Sequence, residues 1–121
     1  MKILIPVTSK DIDTSEVCEH FGKSRIFALI EYSNGKILNV EYIERKTEDH
    51  RVGEIPQMAR DLGADIIIVS RIGERAYDLL NEMGITVIAG VNGKVRDVIE
   101  NIKENLGEPD DRSQKKDTEK D

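Results

Sequence analysis

The second half of the chain keeps switching its hydrophobic period, and this alternation restricts the fold more than any other feature. Ile55, Met58, Ala59 and Leu62 fall at i, i+3, i+4 and i+7, one face of an α-helix, and Gly63 follows where a left-handed cap belongs. Asp65-Ile66-Ile67-Ile68-Val69 then reads as a buried strand. Ala76, Leu79, Leu80 and Met83 return to helical spacing, closed by Gly84. Ile85-Thr86-Val87-Ile88-Ala89 reads as another buried strand. Val95, Val98, Ile99, Ile102 and Leu106 form a last amphipathic helix, ended by Gly107. Such an order implies parallel strands joined by right-handed crossovers.

The first half reads differently. Ile3-Leu4-Ile5-Pro6-Val7 is an uninterrupted apolar run, as expected of a strand buried on both faces. Pro6 donates no hydrogen bond, so it belongs near the strand's end or at a bulge. Residues 8–22 are polar and aperiodic, a loop. Arg25 to Ser33 and Lys36 to Arg45 flank Asn34-Gly35, a strong hairpin signal. In the second arm Leu38, Val40 and Tyr42 share one face and Asn39 and Glu41 the other, which suits an edge strand. The expected fold is a single α/β domain over residues 1–106. It is a five-stranded mixed sheet with one antiparallel hairpin arm, covered by three helices. From Glu108 onward nothing is apolar, so residues 107–121 are expected to be a disordered tail of mixed charge.

Composition removes several function classes. The net charge is −6 with no basic block, so a phosphate backbone would be repelled and nucleic-acid binding is not expected. No apolar run approaches the roughly 20 residues needed to cross a bilayer. The opening "MKILIPV" is too short for a secretory signal and reads as a strand. The single cysteine cannot form an internal disulfide, and a reducing cytoplasm is the expected location.

That cysteine, Cys18, lies two residues from His20, one of two histidines in the chain. Thiolate and imidazole suit soft and borderline metals and iron–sulfur clusters. In an extended loop the two side chains would point the same way. One local pair cannot complete a four-ligand shell, so a closed zinc site is not expected. An open site would borrow ligands from a cluster, a second chain or solvent. The plainer reading is a small buried thiol and a loop histidine bonded to backbone, and spacing alone favours it. The other histidine, His50, lies in the polar loop before the first helix. An up-down-up order of the first three strands places that loop and the Cys18–His20 loop at the same sheet edge, where ligands of α/β sheets usually bind. Alone, His50 reads as a solvated surface residue. "SRIGERA" follows a strand at this edge as well. Gly73 permits a tight turn, the next helix offers its first amides to an anion, and Arg71 and Arg75 add positive charge. The alternative there is an ordinary turn with exposed arginines. "AGVNGK", residues 89–94, is similar. None of these is a nucleotide-binding fingerprint.

Catalysis finds little support. There is no G-x-S-x-G elbow, and a Cys18–His20 nucleophilic pair lacks an evident orienting group. The topology resembles the ribonuclease H fold, whose nucleases line carboxylates along the sheet, but the first strand here carries no acid.

Several pieces together resemble the dinitrogenase iron–molybdenum cofactor biosynthesis family. "KILIPV" resembles its opening strand. "SEVCEHFGKSRIF" resembles its Ser-x-x-x-x-His-Phe-Gly-Lys/Arg-x-x-x-Phe loop, here Ser15, His20, Phe21, Gly22, Lys23 and Phe27. "LGADIIIVSRIGERAYDLLNEMGITV" resembles its Leu-Gly-x-Asp, Ile-Gly-x-x-Ala and Leu-x-x-x-Gly-Ile-x-Val pattern. Together these span roughly residues 1–105. The resemblance implies a ribonuclease H-like fold with no catalytic activity. It implies carriage of an iron–sulfur or iron–molybdenum cluster, or its precursor, among cluster-assembly proteins. On this chain it implies His20 as the chief cluster contact, with Cys18 and His50 as further metal ligands. Arg71, Gly73 and Arg75, placed at the same edge by the strand order, would then be available to an anionic cluster. The chain departs from the family where "SRIG" replaces Gly-Gly-Ile-Gly and where His50 is followed by Arg51 instead of glycine. Two alternatives stay open: a small regulatory module binding an anionic metabolite or protein partner at the same edge, and a thiol redox role for Cys18.

Overall fold

The computed structural model describes residues 1–45 and 53–106. His50 and the expected tail at 107–121 lie outside the described residues. The strands are β1 (Lys2–Val7), β2 (Ile26–Ser33), β3 (Lys36–Glu44), β4 (Ile66–Ile68) and β5 (Thr86–Ile88). The helices are α1 (Glu54–Asp61), α2 (Glu74–Glu82) and α3 (Val95–Leu106). The sheet order is β3-β2-β1-β4-β5. β1 pairs antiparallel with β2 and parallel with β4, and β4 pairs parallel with β5. This is the expected mixed α/β sheet with one antiparallel hairpin arm.

The buried run of β1 fills both faces of the sheet. Ile3, Ile5 and Val7 point to one face with Ala28, Ile30 and Tyr32 of β2, beneath Val95, Val98, Ile99 and Ile102 of α3. Leu4 points to the other with Phe27 and Leu29, beneath Ile55 and Ala59 of α1 and Leu80 of α2. Alternation along each strand thus splits the apolar residues between two helical layers. Pro6 sits at the penultimate position of β1, beyond the residues paired with β4, and its carbonyl accepts the Cys18 amide at 2.8 Å.

The hairpin turn has φ of 54° at Asn34 and 77° at Gly35, the positive pair that a tight β-turn between twisted strands requires. Two strand readings change. A register shift at Glu31/Tyr32 pairs Tyr32 with Ile37 and Glu31 with Asn39, leaving Leu38 as the extra residue of a β-bulge. Leu38 is therefore 61% exposed, and Ile37 takes its place beside Val40 and Tyr42 on the α3-side core. β5 is not a fully buried strand: it ends the sheet, and Ile88 is 37% exposed. Only Ile85, just ahead of it, is buried at 4%.

Loop 8–19 carries no period, yet the backbone stitches it down. Thr8 donates to the Glu16 carbonyl at 3.0 Å, Val17 to Gly93 at 2.9 Å, and Val95 to Ser15 at 3.0 Å. Its far side rests on β3. Burial holds the Tyr42 phenol above its ordinary value of 10.0, with the Asp11 and Asp13 carboxylates adding to this and a hydrogen bond to the Ile12 backbone opposing it.

Leu80 is fully buried beneath α2, so Leu80→Ala should lower unfolding free energy by about 2–5 kcal/mol in a denaturant titration. At the loop's other anchor, Lys10 Nζ lies 2.6 Å from Glu44 Oε1, and this hydrogen bond and charge hold Glu44 below its ordinary 4.5. A depressed carboxyl stabilises the fold above its unfolded value and loses that contribution as pH falls through its folded value. Lys10→Met should return the Glu44 carboxyl toward its ordinary value in a ¹³C NMR titration. An unchanged midpoint would contradict the pair.

Candidate functional site

Because β1 and β4 run parallel and β2 antiparallel, the end of β1, the start of β2 and the end of β4 meet at one sheet edge. β3 runs with β1, so its end lies there too: Val7 pairs with Ile26, which pairs with Glu44. The loops leaving these ends build the site.

The loop from β1 turns through a short 3-10 segment, Phe21–Lys23, that brings it onto the sheet. Phe21 anchors the segment: it is buried at 4%, edge-on to Phe27 with ring centroids 6.4 Å apart. His20 and Arg71 then face each other as a parallel β-bridge, and the Phe21 amide donates to the Arg71 carbonyl at 3.4 Å. The loop after β1 and the loop after β4 are thus joined main chain to main chain. The side chains around this junction enclose a cleft of about 460 Å³.

The cleft has an apolar floor of Phe21, Ile55, Pro56, Ile72 and Ala76, and a rim of His20, Lys23, Arg71 and Arg75. Gly22, Gly53 and Gly73 complete it, and among the described residues no acidic one lines it. In a chain of net charge −6 this concentrates positive charge at one place. Arg71 is partly balanced by Glu19 at 3.9 Å, a long contact between two well-exposed side chains. Among the described residues Lys23 and Arg75 make no ion pair. Gly73 caps α2 with extended backbone and no side-chain hydrogen bond, so the first amides of α2 remain free for a ligand. A Cβ added at Gly73 would meet nothing within 4 Å, so the glycine keeps the mouth open without being sterically required.

Of the residues expected from sequence, His20, Arg71, Gly73 and Arg75 come together in the cleft. Cys18 does not line it. Its thiol is half-buried and donates to the His20 main-chain carbonyl at 3.6 Å. Its main-chain amide is held by Pro6. Among the described residues no three of His, Cys, Asp or Glu gather into a group that could hold a metal ion. The "AGVNGK" turn goes to the other side of the sheet, where Val91 and Asn92 border a separate hollow of about 290 Å³ against α3. Among the described residues that hollow contains Asp97 and no cation. Sequence reasoning did not count Lys23, Ile55 or Pro56 as site residues. Lys23 was legible in the His-Phe-Gly-Lys run, whereas Ile55 and Pro56 carry only the signature of a helix core.

Against known families, residues 1–105 match the one described as dinitrogenase iron-molybdenum cofactor. The chain belongs to this family. It is 36% identical over 90 residues to the uncharacterized protein MJ0580 of Methanocaldococcus jannaschii, covering 72% of each chain. Among solved structures it is similar to PH0822, with 33% identity, a TM-score of 0.78, and coverage of 87% of this chain and 91% of that one. The apo orange protein of Desulfovibrio gigas shares the fold at 17% identity, with a TM-score of 0.74 and coverage of 86% and 88%. The family associates the chain with the iron–molybdenum cofactor of dinitrogenase, and the described residues include no helix long and apolar enough to cross a membrane.

His20 is exposed and makes no side-chain hydrogen bond in its place at the head of the 3-10 segment. His20→Ala should therefore leave unfolding free energy within about 0.5 kcal/mol of the native chain. Phe21→Ala, which empties the anchor, should cost about 3–5 kcal/mol. Equal losses from both, by thermal or denaturant unfolding, would contradict this division between ligand contact and support.

Proposed function

We propose that the protein is a non-catalytic binding and carrier protein for an iron–sulfur or iron–molybdenum cluster, or its precursor, acting with cluster-assembly proteins in the cytoplasm. The observation that carries this reading is a cleft that no acid lines among the described residues: one exposed imidazole and three cations above an apolar floor, in a chain of net charge −6. The absence of a three-ligand group among the described residues does not suit a bare divalent ion. It suits cargo that arrives with its own sulfide ligands and a negative charge. Such a cluster needs one exchangeable protein ligand, outer positive charge and a dry surface. His20 supplies the ligand, Lys23, Arg71 and Arg75 the charge, and Phe21, Ile55 and Ile72 the surface. The free amides at the head of α2 add donors to cluster sulfides. An open cleft with few protein ligands favours transfer over permanent retention, as a carrier requires. His50 lies on the segment between β3 and α1 and would extend the ligand set. Cys18 is assigned to the loop's structure, with its thiol turned to the His20 carbonyl.

Anaerobic reconstitution with ferrous iron and sulfide, followed by visible absorption and EPR, tests the reading. The native chain should acquire a cluster chromophore. His20→Ala should lose most of it, and Cys18→Ala should retain most of it. Because the cations act by charge, retention should fall as salt rises. Failure of the native chain to take up iron under these conditions would sink the proposal. Thermal stabilisation by phosphorylated metabolites, with none by clusters, would instead favour the anionic-metabolite module, which uses the same cations and amides.

A further inference from the structure

Two segments that line the cleft are bridged by a charged side chain that does not line it. Arg45 directly follows β3 and is only 7% exposed. A cation this buried has to be matched by acceptors, and those recorded for Arg45 join the two walls. Nη1 donates to the Ser24 carbonyl at 2.9 Å, and Nη2 donates to Glu54 Oε1 at 3.1 Å. Ser24 closes the 3-10 segment that carries Phe21 and Lys23, its amide donating to the Phe21 carbonyl at 3.3 Å. Glu54 is the first residue of α1, directly ahead of Ile55 and Pro56 on the cleft floor. The Arg45 main chain is fixed as well, donating to the Arg25 carbonyl at 2.7 Å.

We infer that Arg45 is a positioning residue that sets the gap between these two walls. The inference rests on the cleft being the binding site. An arginine suits the task because its planar fork presents separate nitrogens in fixed relation, so one group holds a carbonyl and a carboxylate at once. A lysine in its place would keep the charge but present a single point donor, and would hold one wall better than the other. A methionine would fill similar space and leave the Ser24 carbonyl without its donor.

Amide hydrogen exchange and anaerobic titration with ferrous iron and sulfide test this together, on the native chain, Arg45→Lys, Arg45→Met and Glu54→Gln. In Arg45→Met the amides of Phe21, Lys23, Ser24 and Gln57 should exchange about tenfold faster relative to those of the β1–β2 pairing. Arg45→Lys should recover part of that protection. Glu54→Gln should loosen the Gln57 amide and leave Phe21 and Ser24 unchanged, and it keeps the test open if Arg45→Met does not fold. Cluster retention should fall several-fold in Arg45→Met although no cleft-lining group has changed. Equal acceleration of wall and sheet amides would reduce Arg45 to general stability and overturn the inference. So would full cluster retention by Arg45→Met alongside a native chain that binds. If the native chain takes up no cluster while both walls loosen selectively, the carrier reading falls and the positioning role stands.

Discussion

The site depends on β1 being the middle strand. Its run from Ile3 to Val7 is buried on both faces, so it must lie between neighbours with a helical layer above and below. With β2 antiparallel on one side and β4 parallel on the other, the chain ends leaving β1 and β4 come to one edge. Everything that follows is a matter of tying those ends together. The His20–Arg71 bridge does so through the main chain, while Phe21 pins the loop after β1 against Phe27 of β2 and Arg45 links that loop at Ser24 to the head of α1 at Glu54. The residues offered to a ligand stand on these ties and contribute little to them. That separation lets an exposed imidazole and exposed cations be placed at fixed positions on a small domain.

The electrostatics follow the same division. The chain as a whole is acidic, yet the described residues lining the cleft include no acid. A negatively charged cargo would meet repulsion over most of the surface and attraction at one mouth, which directs it without a deep pocket. The acidic loop around Asp11 and Asp13 is held away from this mouth, against Tyr42 of β3. Membership of the dinitrogenase iron-molybdenum cofactor family is what suggested the cargo proposed for this cleft.

Much of the fold was legible because period is written directly into sequence. The three helices and the order of strands follow from spacing, and the Asn34-Gly35 turn from the positive φ that only such residues adopt readily. Leu38 was misplaced because a bulge adds a residue without altering local composition, and alternation alone cannot register it. β5 was read as buried because an apolar run does not say whether a further strand follows on its outer side. At the site, His20, Arg71, Gly73 and Arg75 were visible as chemistry at the expected edge. Cys18 was visible too, but spacing could not show that its thiol donates to the His20 carbonyl and that it stands outside the cleft. Arg45 gave no signal at all: an arginine at the end of an edge strand reads as solvated until its partners across the fold are known.

The most direct measurement of the central claim is anomalous X-ray diffraction at the iron edge from crystals of the anaerobically reconstituted protein. The account predicts iron density inside the cleft, bonded to the His20 imidazole and bordered by Lys23, Arg71 and Arg75. Iron bound instead at the Cys18 thiol and away from the cleft, or in the hollow beside α3, would contradict it.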